Sequence, residues 1–315
     1  MHRLPFKPMN HIFLTILRQF VLVFFDDILI YSASWRDHLL HLEKVLSILQ
    51  EHQLHVKLHK CAFGTKQIAY LGHMISSIGV SMDSDKVVVV LQWLVPSNIK
   101  QLRGFLGLTG YYRRFVKGYV ALASPLHDLL KKNAFEWSEQ AQSAFQDLKA
   151  ALTKAPVLVL PNFSIPFELE TDASGTVIGA ILGQQGHPIA FFSKKLSPRL
   201  QAKSGYVREM LAITEAVAKF CHYLLEHRFV IKTDHKSLCS LMDQVLQTPE
   251  QQQWMHKLMG YDFVIEYKPG PQNSGVDALS RLDYFALSVQ HCDFLNTLRA
   301  ELLQDPEYSS ILLAL

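Results

Sequence analysis

Apolar and polar positions fall into three regimes along the chain. The first regime opens with FVLVFFDDILIYSAS, where residues 21–25 and 28–31 have strand composition around Asp26 and Asp27. Aspartate is a good turn residue, so a β-hairpin with the acids at its tip is one expectation. The other is a metal-binding turn, because carboxylates in an apolar run are normally paired, neutralised or metallated. The pattern leaves both open. In SWRDHLLHLEKVLSILQEHQ, Leu39, Leu42, Val45, Leu46 and Leu49 recur at helical spacing and predict an amphipathic helix on the hairpin. HVKLHKCAF and QIAYLGHMISSIGVSM alternate, with Gly72 and Gly79 at turns, and predict short strands. Together these elements make a small α+β unit.

The second regime, from Asp83 to about Ala155, is helical. Pro96 and Ser97 precede NIKQLRGFLGLTGYYRRFVKGY, a helix start with proline just ahead of a capping residue. Gly104, Gly107 and Gly110 lie inside that helix. Each costs about 1 kcal/mol relative to alanine, which predicts close approach of another backbone. The end of the segment interleaves Tyr111 and Tyr112 with Arg113, Arg114 and Lys117. Cations for phosphates and rings for stacking suit a nucleic-acid surface, while a core aromatic row with solvated cations is the plainer alternative. SEQAQSAFQDLKAALTK predicts a further helix capped by Ser138, with Ala141, Phe145, Leu148 and Leu152 as its apolar stripe.

Pro156, Pro161 and Pro166 mark the clearest boundary. Beyond it FELETDASG, TVIGAILGQQG and HPIAFFSKK predict three strands. The long helix AKSGYVREMLAITEAVAKFCHYLLEH then leads to the strand RFVIKTDHKS. Helical segments around TPEQQQWMHKLMG and SGVDALSRL flank the strand YDFVIEYKPG. A meander, a crossover helix and a return strand describe an α/β mixed sheet flanked by helices. The tail from Asp283 reads as helical and amphipathic.

Composition narrows the classes. An apolar fraction of 49% argues against disorder, and 315 residues suit more than one domain. A formal charge of +3 proves no polyanionic partner by itself. The four cysteines, Cys61, Cys221, Cys239 and Cys292, are scattered without a CxxC pair, as expected of reduced thiols in an intracellular protein. His38 and His41 share a helical face, but neither acid nor cysteine completes a metal set. With no run of about 18 apolar residues, no membrane partner is expected.

The third regime carries the acids. Two strands end alike, in ELETDAS and VIKTDHK, which puts Asp172 and Asp234 at strand ends, where α/β sheets gather ligands. Phe167, Leu169 and Thr171 share one face of the first strand; Phe229, Ile231 and Thr233 share one face of the second. Glu209 lies on the helical row Tyr206, Glu209, Ile213, Ala216, Phe220, bordering the face that packs on the sheet. Asp277 opens the last helix after PGPQNSG. Carboxylates so arranged could share Mg²⁺ with substrate phosphates, and two ions about 4 Å apart serve phosphodiester hydrolysis. Taken singly, each acid also has a plain structural reading.

FVLVFFDDILIYS, YLGHMISSIGV, QLRGFLGLTGYYRRFV, FELETDASG, IAFFSKKLSP, YVREMLA, IKTDHKSL and YKPGPQNSGVDALSR occur in this order along nearly the whole chain. The set resembles the Pol polyproteins of gypsy-type LTR retrotransposons. The resemblance implies an α/β and α+β multidomain chain: part of a reverse-transcriptase palm over 1–82, a helical thumb/connection over 83–160, an RNase H-like domain over 161–283, and a helical spacer over 284–315.

In that reading Asp26 and Asp27 look like the paired catalytic aspartates of the polymerase. YLGHMIS, with Gly72 and His73, looks like its primer grip. Asp172, Glu209, Asp234 and Asp277 fall on the RNase H acids, which implies two Mg²⁺ ions per site. The implied partners are an RNA/DNA hybrid and a template-primer, and the implied setting is a cytoplasmic particle or the nucleus. HRLPFKPMNHIF resembles only the end of the motif before the palm aspartates, so the polymerase part is expected to be truncated. It would then not synthesise DNA alone, unless a separate upstream Pol fragment supplies the rest. Its apolar palm surface should be exposed. The family usually has alanine where Val276 precedes Asp277. The expected activity is hydrolysis of RNA in RNA/DNA hybrids; the alternative is an inactive remnant that binds nucleic acid.

Overall fold

A computed structural model describes residues 9–239 and 248–269. After a one-turn helix α1 (Met9–Ile12), strands β1 (Val21–Phe24) and β2 (Asp27–Ile30) pair antiparallel, joined by Phe25 and Asp26. Phe25 takes a positive φ of 52°, as a two-residue hairpin turn often requires. Helix α2 (Trp35–Glu51) starts at Ser34, whose side chain accepts the Asp37 amide. Val45 and Leu49 are buried against Phe13, Ile16, Phe20 and Val21, and the His41 ring stacks on Phe20 at 3.7 Å. The packed row therefore runs through positions 41, 45 and 49. Leu39 and Leu46, expected on the buried stripe, face outward.

Beyond α2, HVKLHKCAF is not a strand. It forms a 3-10 turn at Leu58–Lys60 with Val56, Leu58 and Phe63 exposed. Among the described residues no ladder reaches it, and strand propensity without a pairing partner has little force. The meander β3 (Gln67–Tyr70), β4 (His73–Ser76) and β5 (Gly79–Met82) follows. Leu71 and Gly72, at φ 50° and 70°, make its first turn. At Gly79 any Cβ would collide with the Leu158 carbonyl, because Val80 and Leu158 exchange backbone hydrogen bonds of 2.8 and 2.9 Å. Leu14, Leu22, Phe24, Phe25, Trp35 and Leu40 are exposed.

Four helices build the second core: α3 (Ser84–Gln92), α4 (Ile99–Tyr111), α5 (Tyr119–Asp128) and α6 (Glu139–Thr153). Ser138 caps α6, and Ala141, Phe145, Leu148 and Leu152 are buried as the stripe predicts. The segment expected as one helix through Tyr119 is broken. α4 ends at Tyr111, a 3-10 turn spans Arg113–Phe115, and Gly118 at φ 68° redirects the chain into α5. Nor, among the described residues, does a backbone crowd the three glycines. Gly104 and Gly110 face Trp93 and Tyr119 side chains at contact distance, and Gly107 faces open space.

Strands β6 (Phe167–Ala173), β7 (Val177–Gln184) and β8 (His187–Lys195) form the second meander. The one-turn α7 (Pro198–Gln201) and the long α8 (Gly205–Leu224) lead to β9 (Phe229–Thr233). α9 (Pro249–Leu258) then leads to β10 (Phe263–Tyr267). The strand order is β10-β9-β6-β7-β8, with β6, β9 and β10 parallel and the β6–β7–β8 pairs antiparallel. Phe167, Leu169, Phe229 and Ile231 pack with Met210, Ile213 and Phe220 of α8 in one core. The SGVDALSRL helix, Val276, Asp277 and the tail lie outside the described residues.

Candidate active site

Parallel pairing of β6 with β9 stops at Glu170 and Lys232, while β6 continues to Ala173 along β7. The carboxyl ends of the two strands part there, and a crevice at such a point collects ligands in α/β sheets. Asp172 stands on the stretch of β6 beyond its pairing with β9, and Asp234 follows the last residue of β9. The N-terminal half of α8 brings in Glu209. One carboxylate oxygen from each of the three acids lies within 4.8 Å of the other two.

Asp172 and Glu209 are each only 5% exposed, whereas Asp234 is open to solvent. Glu209 Oε1 accepts the Ala173 amide at 2.9 Å, which ties the helix to the strand end. Its Oε2 is buried with no partner among the described residues. Burial first, then the Asp172 and Asp234 charges, push the Glu209 carboxyl up to about 8, against relief from the Ala173 amide and Arg208. A hard divalent cation fits this donor set: three carboxylates, one open edge and an unsatisfied oxygen. Behind the acids, Lys232 binds Glu168 at 2.8 Å and Lys268 binds Glu170 at 2.7 Å. The neighbouring acids of β6 are thus neutralised, and the charge stays concentrated at the strand end.

Sequence reasoning passed over two neighbours. The Tyr206 ring meets His235 edge-on at 5.6 Å, and its hydroxyl is buried without a partner among the described residues. The available signals were the i, i+3 spacing of Tyr206 to Glu209 and the adjacency of His235 to Asp234. Asp277 lies outside the described residues. Asp26 and Asp27 are exposed at the β1–β2 tip and join no cluster of three acids among the described residues.

The segment expected to contact nucleic acid divides in two. Tyr111 and Tyr112 donate their hydroxyls to the carbonyls of Leu71 and Gly72, at 2.6 and 2.7 Å. His73 lies among Tyr111, Tyr112 and Phe115, with ring centroids at 5.3, 5.7 and 5.5 Å. Its Nδ1 bonds the Leu71 carbonyl at 2.8 Å and so carries the proton. Burial lowers its pKa. Tyr112, 2% exposed, has no face left for a base, because this ring locks the meander turn to α4. Tyr111, Arg113, Arg114 and Lys117 remain exposed.

Two family models match the chain. Residues 6–75 match the reverse transcriptase (RNA-dependent DNA polymerase) model, and residues 137–231 match the RNase H-like domain found in reverse transcriptase. The chain is 38% identical over 276 residues to the retrovirus-related Pol polyprotein from transposon 297 of Drosophila melanogaster. That alignment covers 87% of this chain and 26% of the relative. The chain belongs to the retrotransposon Pol polyproteins. A second relative, the Pol polyprotein from transposon gypsy of the same fly, is 33% identical over 294 residues, covering 89% of this chain and 28% of the relative. This Pol chain thus spans about a quarter of the length of these curated relatives. Its fold is that of the foamy viral protease-reverse transcriptase solved in complex with RNA/DNA hybrid. The TM-score is 0.74 at 20% identity, over 89% of this chain and 38% of that one.

Proposed function

We propose that this Pol chain hydrolyses the RNA strand of RNA/DNA hybrids at the Asp172–Glu209–Asp234 cluster, with Asp277 as a fourth acid and Mg²⁺ as cofactor. The convergence of three acids from two strand ends and a packed helix supports this reading best. When bound there, the divalent ions supply an activated water and neutralise charge at the scissile phosphate. The chain's own part is to hold the acids in place. The Ala173 amide fixes one Glu209 oxygen, the sheet fixes Asp172, and the open side at Asp234 admits the substrate. Residues 1–82 and 83–160, as palm and thumb/connection, would serve as the platform for the hybrid. Asp26 and Asp27 would be the polymerase's paired acids.

The test is cleavage of an end-labelled RNA/DNA hybrid in Mg²⁺ by the chain and by its Asp172→Asn and Asp234→Asn variants. Cleavage lost in both variants supports the reading. Binding without cleavage by the unaltered chain would leave a nucleic-acid-binding remnant instead.

A further inference from the structure

A pocket of about 210 Å³ opens where the 3-10 turn after α4 meets β8 and the C-terminal half of α8. Arg113 and Arg114 line it from the turn, Ser193 from β8, and Lys219 and His222 from α8, with Tyr111 at its rim. All four of the basic side chains are exposed, and among the described residues no carboxylate lines the space. Glu215, one turn before Lys219, is taken up by Lys194 at 2.7 Å. The joint is itself held: Arg114 reaches the Ile189 carbonyl at 3.5 Å, and Ser193 Oγ accepts the Val120 amide at 3.2 Å. Four cationic or ionisable side chains from separate elements therefore converge on a fixed cavity. Without a counter-anion, that arrangement carries an electrostatic cost.

We propose that this pocket seats a backbone phosphate of the nucleic-acid strand, gripped jointly by Arg113, Arg114, Lys219 and His222. Its volume is several times the roughly 30 Å³ that a water molecule takes up in the liquid, room for a phosphate and its hydration. Arginine presents a planar fork to phosphate oxygens and lysine a point charge. The exposed ring of Tyr111 at the rim offers a surface beside the phosphate for its sugar or base. Partial burial and then the Lys219 and Arg114 charges hold His222 below its usual pKa. That the phosphate belongs to a nucleic-acid strand rests on the proposed function; that the pocket takes a phosphate does not.

The experiment compares the full chain with an Arg113→Gln, Lys219→Gln double variant and with an Arg228→Gln, Lys257→Gln control at exposed positions outside the pocket lining. Each is titrated with a labelled RNA/DNA hybrid over a range of salt concentrations, and separately with inorganic phosphate followed by ³¹P line width. Both pocket substitutions are at exposed positions, and thermal melting checks that the variant folds. One phosphate contact contributes about 0.9 to the slope of log K against log salt. The expected result is a slope lower by about that amount in the pocket variant alone, with phosphate broadening lost. A slope unchanged, or lowered equally in the control, would overturn the proposal. Phosphate broadening lost with an unchanged slope would overturn the strand assignment in favour of a free anion. A lowered slope in a chain that cleaves nothing would support the pocket while sinking the nuclease reading, so the two fail separately.

Discussion

The hydroxyl of Tyr112 donates to the carbonyl of Gly72 at 2.7 Å, joining two residues forty positions apart. Gly72 is left-handed at φ 70°, and an added Cβ would stand 3.2 Å from that hydroxyl. The tyrosine thus reads both the turn's carbonyl and its lack of a side chain. Burial, with Asp83 and Tyr111 nearby, pushes the Tyr112 phenol up to about 12, so it keeps its proton at any working pH. Tyr112→Phe keeps the ring and deletes one bond. The expected loss is about 1 kcal/mol, or roughly 2–4 °C in Tm for a domain of this size. Gly72→Ala is expected to cost more, because it combines the positive φ with the tight contact. Thermal melts of both variants check the order.

Legibility followed period and cap. α6 was readable because Ser138, Ala141, Phe145, Leu148 and Leu152 sit where a capped amphipathic helix puts them, and the third-regime strands because each is bounded by turn residues. α2 was readable as a helix but not in its orientation. Periodicity offers two neighbouring rows, and only the stacking of His41 on Phe20 selects one. The break after Tyr111 was hidden because YYRRFVKGY has no proline to announce it. Its signal, Gly118 at a left-handed φ, looks in the sequence like one more helix glycine. At the site, strand ends and helix face placed Asp172, Asp234 and Glu209 singly. Their meeting depends on where β6 and β9 cease to pair, which no local pattern encodes.

Lys149 supplies a second stability test. Its buried stem lies on α6, and its Nζ donates to the carbonyls of Leu91 and Trp93 at 2.9 and 2.6 Å, closing the C-terminal end of α3. The same ammonium lies 4.5 Å from the Phe145 ring centroid. Lys149→Met preserves the stem and deletes the ammonium, leaving two helix-end carbonyls without their donor. A loss of about 1–3 kcal/mol is expected. The measurement is a urea melt followed by tryptophan emission, since Trp93 lies at the broken contact; a midpoint equal to the parent's would refute the capping role.

The pH dependence of the metal-free chain follows from Glu209. Its folded pKa of about 8 lies above its ordinary value of 4.5, so the folded state holds a proton that the unfolded state has released across that interval. Stability then falls as pH rises from about 4.5 to 8, and levels off above. At about 1.4 kcal/mol per pKa unit the effect is on the order of a few kcal/mol. Mg²⁺ should oppose it by favouring the carboxylate, so the ion is expected to raise Tm more at pH 8 than at pH 6. Melting curves with EDTA and with Mg²⁺ at both pH values decide the point. Equal Mg²⁺ shifts would mean that Glu209 does not share the ion.

Asp172→Asn separates catalysis from stability. In the metal-free chain the Asp172 charge is one of the groups that raise the Glu209 pKa, and a neutral amide of the same shape relieves that repulsion. The variant should therefore melt higher than the parent in EDTA at pH 8, by about 1 kcal/mol, a gain of the kind seen when a strained site is relaxed. In Mg²⁺ the order should reverse, since the parent gains a ligand-linked increment that the variant has lost. Hybrid cleavage should fall to background in the same sample. A variant destabilised in EDTA as well as in Mg²⁺ would show that Asp172 is held by structural bonds rather than by the repulsive cluster, and its loss of cleavage would then be read as damage to the fold.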